Sequence, residues 1–329
     1  MSKPTILLIG ATGFVGRHAA VALEATGWNV RAATRNPTQA RLTNPDQHWF
    51  RCDIESEESL RGACAGARAA VYLYHAVGAK GDYTEREASA ARRFLQAAED
   101  ARLERIVYLG GVVPEGRLSR HLESRRATGE TLREGKVSTI ELRASMIIGH
   151  PSASFQMIRD VLVTMPWLLL PAWLDHASCP ISICDVAPAI ALAARLPGTA
   201  STWYDLPGPE RLSHREFLGY VAGPLGTRIG RTKLAGISPS LASLAIAALS
   251  RVRPGLSREL VLGLESDLTP TGPSFWDQAH GPEPRSLRQA IADALNDELA
   301  PHSPSAETTR RIQKKAQLWL KACGVEAND

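Results

Sequence analysis

Three glycines spaced three residues apart, Gly10, Gly13 and Gly16, interrupt the stretch "ILLIGATGFVGRH" where a short apolar run gives way to a helix-like pattern. A backbone stripped of side chains at such a point suits the close approach of a pyrophosphate. Gly10 permits the tight turn, Gly13 lets backbone reach the phosphates, and Gly16 lets helix and strand pack closely. Thr12, Phe14 and Val15 complete the loop and the first helical turn, whose N–H groups and positive dipole end attract anions. The pattern predicts a dinucleotide site at Gly10, Thr12, Gly13, Phe14, Val15 and Gly16.

Other positions refine that site. Arg35, in "AATRNP", stands at the end of the second predicted strand, where an acid would bind a ribose diol. A guanidinium there offers a fork of donors to a 2′-phosphate, which favours NADP(H) while leaving NAD(H) open. The competing reading is a solvated surface arginine, since Arg31 and Arg41 lie nearby. Asp53, in "RCDI", follows the third strand and either meets the adenine amino group or caps a helix. Tyr74, His75 and Ala76 end the fourth strand and are expected along the ribose and nicotinamide side.

The elements that must hold these residues are legible in the first half of the chain. Strand-like runs, "TILLIG", "NVRAATR", "HWFRCD", "AAVYLYHA", "RIVYLGG" and "STIELRA", alternate with helical patterns, the first from about Phe14 to Thr26. Continuous apolar strands alternating with helices predict a doubly wound parallel α/β sheet of Rossmann type. After about Gly149 the regularity fades into Pro-rich turns, and helical stretches follow near Ser213 to Val221 and Ser238 to Arg251. The expected organisation is a dinucleotide-binding core over 1–150, a mostly helical substrate-capping lobe over 151–300 interleaved with that core, and a C-terminal helical tail over 301–329. Pro and Gly cluster from Leu268 to Pro284, as in an extended crossing segment. In the tail, Ile312, Ala316, Trp319 and Leu320 recur at helical spacing and predict a face that docks on the chain's own core.

Composition narrows the possibilities. With 329 residues, 44 % of them apolar, the chain can fill a sizeable core, and its formal charge of +4 is spread without a long basic block, so no nucleic-acid footprint is visible. Five cysteines, Cys52, Cys64, Cys179, Cys184 and Cys323, form no pair at metal or redox spacing and read as buried, reduced thiols of a cytoplasmic protein. The most apolar segment, Val161 to Leu174, is shorter than the ~20 residues of a spanning helix and is broken by Pro166 and Pro171. It reads as a pocket wall or subunit contact, with Trp167 and Trp173 suited to an apolar ligand. No H-E-x-x-H, G-x-S-x-G or Walker pattern occurs, so no metal site is expected.

On "GATGFVGRH", "TRNP", "YLYHAVG", "DYTEREASAARRF", "RIVYLGGVVPEG", "LSRHLESRRATGE" and "ELRASMIIGHPSASFQMI", the chain resembles the NmrA-like, NAD(P)H-binding group of atypical short-chain dehydrogenase/reductases. Looser similarity in "ISICDVAPAI", "YDLPGPERLSHREF" and "LVLGLESDL" extends the resemblance over roughly Lys3 to Leu295. It implies a bound dinucleotide and a variable C-terminal lobe. It leaves the reaction open, because the group contains reductases, redox-sensing regulators and proteins without known turnover.

Short-chain reductases of the standard type use a tyrosine with a lysine four residues later, and a serine that orients the carbonyl. Here the residues four after Tyr72, Tyr74, Tyr83, Tyr108, Tyr204 and Tyr220 are Ala76, Gly78, Glu87, Val112, Gly208 and Pro224, and the serine's strand ends in Gly110 and Gly111. Where the pair should lie, His121 and Arg125 stand four apart on one helix face. With a reference pKa near ~6.5, a histidine can donate a proton at neutral pH; the competing reading is a charged surface helix. Gly110, Gly111, Ser154 and Phe155 are the candidate substrate contacts. The expectation is an NADPH-dependent reductase, monomeric or homodimeric, acting on an apolar small molecule with a carbonyl, imine or activated alkene. The alternative is a non-catalytic dinucleotide-binding redox sensor or assembly factor.

Overall fold

The run Thr5–Ile9 is apolar at nearly every position because both of its faces are buried. In the computed structural model, which describes residues 3–77, 81–116, 118–165, 168–234, 237–278, 283–299 and 305–323, Ile6 and Leu8 enter one hydrophobic cluster while Leu7 and Ile9 enter another. Successive side chains of a strand point to opposite faces, so this strand has a core on each side.

The elements of the first half follow the expected alternation: β1 (Thr5–Ile9), α1 (Phe14–Ala25), β2 (Asn29–Thr34), α2 (Pro37–Thr43), β3 (Trp49–Arg51), α3 (Glu57–Cys64), β4 (Ala69–Tyr72), α4 (Tyr83–Asp100), β5 (Arg105–Gly111), α5 (Arg120–Glu134) and β6 (Ser138–Ala144). The helices start where the sequence supplies a cap. Asn36, Ser56, Asp82 and Ser119 each accept a backbone N–H of the first turn of α2, α3, α4 and α5. By contrast α1 begins at Gly13 with no side-chain cap, which leaves its first-turn N–H groups to an outside acceptor.

The second half contributes β7 (Ile147–Ile148), α6 (Ala153–Thr164), β8 (Leu168–Pro171), β9 (Ala177–Ser178), β10 (Ile181–Ser182), α7 (Ile183–Ala193), β11 (Thr202–Asp205), β12 (Leu212–Ser213), α8 (His214–Ala222), β13 (Ile229–Leu234), α9 (Pro239–Leu249), α10 (Pro254–Leu262), α11 (Leu287–Asn296) and α12 (Ala306–Ala322). Of these, β11 pairs in parallel with β6 and completes a seven-stranded sheet of order β11-β6-β5-β4-β1-β2-β3, parallel throughout. Helices α1, α7 and α12 cover one face, and α3, α4 and α5 the other. The fold is a doubly wound Rossmann-type sheet with a helical C-terminal region.

That region has its own apolar cluster, in which Phe155, Ile158 and Leu162 of α6 meet Phe217, Leu218 and Val221 of α8 and Leu287, Ile291 and Ala294 of α11. A smaller cluster joins Met157 to Val252 and Val261 beside α9 and α10. Among the described residues no helix is long and apolar enough to cross a membrane. All five cysteines are free; Cys323 is half-buried and the other four are buried. Burial pushes the Cys64 and Cys184 thiols up to about 12 and that of Cys52 up to about 11, so these three are held as protonated core side chains.

The predicted tail helix docks as its periodicity requires. Ile312, Ala316, Trp319 and Leu320 of α12 are buried in the cluster formed with α1 and α7. On the same helix Lys315 pairs with the fully buried Asp185 of α7, whose other carboxylate oxygen accepts the backbone N–H of Arg285 at 2.9 Å. Residues 300–304 and 324–329 lie outside the described residues. Because Trp319 is fully buried, Trp319→Ala is expected to lower the unfolding free energy by ~3–5 kcal/mol in denaturant titrations. A loss below ~0.5 kcal/mol, the scale of a surface change, would contradict this docking.

Candidate active site at the switch point of the sheet

Strand order reverses between β1 and β4, and in a parallel sheet the crevice outside the carboxyl ends of the strands at such a point receives ligands. The glycine turn lies there. Gly10 adopts φ +82°, a conformation natural only to glycine, and a Cβ on it would lie 2.9 Å from the Leu73 carbonyl oxygen. A Cβ on Gly16 would fall 2.2 Å from the Gly10 carbonyl oxygen, so the third glycine is what allows α1 to start against the end of β1. These backbone positions and the uncapped helix start form a cradle fitted to phosphates.

A cavity of about 390 Å³ opens above this cradle. Its walls include Gly10, Gly13, Phe14, Val15 and Gly16 from the turn, His75 after β4, Gly110 and Gly111 at the end of β5, His121 and Arg125 on α5, and Ser154 on α6. The structure therefore brings together residues that sequence reasoning singled out from five separate segments. Ser154 is the second residue of α6, whose cap position is Ser152, so its hydroxyl is not the helix cap.

The other candidates lie elsewhere. Phe155 is 2 % exposed and sits in the α6–α8–α11 core instead of on the cavity wall, because one step along a helix turns the side chain by about 100°. The carboxylate of Asp53 accepts the Glu55 N–H at 3.0 Å in the turn before α3, whose cap is Ser56 and not Asp53. Ala76 is buried and donates its N–H to Glu87. Tyr74 packs against the α3–α4 side of the core, and Thr12 is exposed on the turn. Exposed Arg35 follows β2 directly and stands near enough to Tyr74 to act on its phenol electrostatically. Its neighbour Arg31 is committed to the Ala63 and Ala65 carbonyls at 2.7 Å each. Trp167 lies outside the described residues.

Sequence reasoning missed the acid behind the two histidines. Glu87, 3 % exposed, lies 2.6 Å from Nδ1 of His75, accepts the Ala76 N–H at 2.7 Å, and receives the Ser124 hydroxyl. Burial alone would favour its protonated form, but the hydrogen bond and charge of His75, with the bonds from Ser124 and Ala76, hold the carboxyl down at about 2. An ionised Glu87 fixes the proton of His75 on Nδ1 and leaves Nε2 as the ring's other working nitrogen. The signal was in the sequence: Glu87 shares the buried stripe of α4 with Tyr83, Ala90, Ala91 and Phe94.

His121 lies with its ring centroid 4.9 Å from that of His75, and its Nδ1 is buried without a partner among the described residues. Desolvation, then the charges of His75 and Arg125, depress its pKa to about 3. At neutral pH it is a neutral imidazole, so the reference value near ~6.5 does not apply to it. Arg125 donates to the Leu109 carbonyl and stacks 5.4 Å from the Tyr108 ring centroid, while the Tyr108 hydroxyl bonds the Arg125 carbonyl at 3.1 Å.

The glycine at the end of β5 has a packing context. A Cβ on Gly110 would lie 2.7 Å from Oε1 of Glu141, and one on Gly129 of α5 would lie 2.6 Å from the same carboxylate. Glu141 is fully buried on β6 between Arg133 and Arg143, at 2.9 and 3.0 Å. The space a serine would need is filled by this ion-paired acid.

Beyond α6 the cavity shares Met146, Met157, Ile158 and Leu264 with a second, almost wholly apolar pouch of about 320 Å³. Val161, Met165, Pro171, Trp173 and Leu174 line it, so these described residues of the apolar Val161–Leu174 segment serve as a pocket wall.

Residues 10–145 match the NAD(P)H-binding family. They form an NAD(P)H-binding domain. The fold is shared by an NADPH-dependent quinone oxidoreductase from Escherichia coli complexed with NADPH (17 % identity, TM-score 0.68, covering 88 % of this chain and 100 % of that one). It is also shared by the Citrobacter sp. triphenylmethane reductase complexed with NADP(H) (16 % identity, TM-score 0.69, 88 % and 99 %). A nucleoside-diphosphate-sugar epimerase from Staphylococcus aureus is similar as well (17 % identity, TM-score 0.66, 87 % and 99 %). No curated protein matches the chain by sequence.

Two outcomes test this part of the NAD(P)H-binding domain. Gly110→Ser is expected to cost about 1–3 kcal/mol in denaturant unfolding, from overpacking against Glu141. Glu87 ionises more readily in the folded chain than its ordinary value of 4.5, so the unfolded chain binds more protons between there and about 2. Stability should fall as pH drops through that window, and thermal unfolding of Glu87→Gln should show a flatter profile over it.

Proposed function

We propose that the protein is an NADPH-dependent reductase acting on an apolar or aromatic small molecule. The observation that carries this reading is adjacency: the cavity over the glycine cradle and an apolar pouch share the wall formed by Met146, Met157, Ile158 and Leu264. Such a shape suits a cofactor at one end and a hydrophobic acceptor beyond it. NADPH, when bound, supplies the hydride.

The chain's own residues select the kind of acceptor. No Tyr-x-x-x-Lys pair exists, and His121 is held neutral. A carbonyl, imine or activated alkene whose hydride adduct takes its proton from solvent meets this limit. His121 and Arg125 serve the polar end of that acceptor as hydrogen-bond donors, with Gly110, Gly111 and Ser154 forming its floor. Proteins of this fold include an NADPH-dependent quinone oxidoreductase and a triphenylmethane reductase, which supports a reductase reading. Within residues 151–300, which are interleaved with the core through α7 and β11, helices α6 and α8 to α11 act as the substrate-capping lobe. Arg35 takes the 2′-phosphate, supported by its place after β2 and by the commitment of Arg31 elsewhere.

The test is calorimetric titration with NADPH, NADP⁺, NADH and NAD⁺, followed by NADPH oxidation with quinones, activated alkenes and cationic dyes. Both phosphorylated forms should bind more tightly. Arg35→Ala should weaken NADPH about tenfold, or ~1.4 kcal/mol, and leave NADH unchanged. Binding of NADPH without oxidation by any acceptor would favour the second reading, a non-catalytic redox sensor, for which the missing Tyr/Lys pair and the filled serine position speak.

A further inference from the structure

One helix of the C-terminal region turns an apolar face outward. Helix α9 has no charged side chain in its eleven residues. Its Leu241, Leu244, Ala245 and Ala248 recur at three- and four-residue spacing and so share one face. All four are exposed, Leu241 by 60 % and Leu244 by 68 %. Leu42 and Leu318 are exposed too, but they stand singly on helices that carry Arg or Lys, which is ordinary for a surface. A contiguous apolar face is not, and two of its members, Leu241 and Ala245, also line the apolar pouch.

The charge flanking this helix has one sign. Residues 217–258 contain Arg228, Arg231, Lys233, Arg251, Arg253 and Arg258 and no acid, in a chain whose total is only +4. Arg228, Arg253 and Arg258 are exposed, while Arg251 is held by Asp160 at 2.9 Å. The acids on the two helices packed against α9 are engaged within the protein. Asp160 of α6 is 5 % exposed and bound by Arg159 and Arg251, and Glu259 of α10 accepts the Tyr83 hydroxyl at 3.0 Å. We propose that this face docks the protein on an anionic lipid surface, with an apolar acceptor entering the pouch from the lipid beside Leu241 and Ala245. Burial of the α9 face among the headgroups and attraction of the flanking arginines to anionic lipid add to one another. A second copy of the chain would instead bring another acid-free segment against this one, like charge against like. The docking stands on α9 and its flanks; the entry route rests on the reading of the pouch as the substrate end of the cleft.

The test is cosedimentation of the full chain with phosphatidylcholine vesicles, with and without about one-third phosphatidylserine. Binding is expected on the anionic vesicles and should fall as salt screens the attraction. Leu244 is exposed and does not line the pouch, so Leu244→Asp leaves fold and pouch intact. It should weaken vesicle binding about tenfold. Arg253→Gln and Arg258→Gln should each weaken it about fivefold. Sedimentation velocity without lipid examines the other occupant, and the native chain and Leu244→Asp should show the same oligomeric state. A native dimer that Leu244→Asp dissociates would give the face to a second copy and overturn the proposal. So would the absence of vesicle binding, equal binding to both kinds of vesicle, or binding that Leu244→Asp leaves unchanged. Vesicle binding needs neither cofactor nor turnover, so its failure and a failure of NADPH oxidation are distinguishable.

Discussion

The approach of Gly16 to the Gly10 carbonyl is the constraint on which the rest of the site depends. Any side chain on Gly16 would overlap the end of β1, so only glycine lets α1 begin directly over the sheet edge. That position brings the uncapped helix start to the point where strand order reverses between β1 and β4. Backbone donors, a dipole end and the crevice are thus superposed, and this is what makes residues 10–145 able to hold a dinucleotide.

A second constraint shapes the chemistry from behind. The buried Glu141, bracketed by Arg133 and Arg143, occupies the space beneath the end of β5 and forces glycine at 110 and 129. Taking such charges out of water is costly, and removing one partner costs more than keeping the set intact. The ion-paired group thus leaves the end of β5 without a side chain at 110, and His75, His121 and Arg125 stand around the same cavity. In the same helical layer Glu87 does comparable work, since it accepts from Ala76 and Ser124 as well as from His75 and so fixes the orientation of that ring.

The C-terminal half is divided between the two parts of the molecule. Strand β11 and helices α7 and α12 belong to the sheet and its cover, whereas α6, α8, α9, α10 and α11 build the walls of the apolar pouch and its supports. The pairing of Lys315 with buried Asp185 joins the last helix to the core across a long separation in sequence.

The sequence by itself determined the six strands of the first half, the glycine turn and the docking face of α12, because each is written in a local period or spacing. Continuous apolar runs mean strands buried on both faces, and residues three and four apart mean one helical face. It also placed Gly10, Gly13, Gly16, His75, His121 and Arg125, which share the cavity wall. Tertiary structure decided what depends on neighbours distant in sequence. Phe155 went to the core and Ser154 to the wall on a helical rotation that no local signal reports. His121 lost its ordinary basicity because burial and its neighbours His75 and Arg125 act on it together. A side chain at Gly110 would meet Glu141 of the adjacent strand, a contact visible only once β5 and β6 pair. Desolvation and close contact are properties of the assembled interior, and a single chain read residue by residue carries no measure of either.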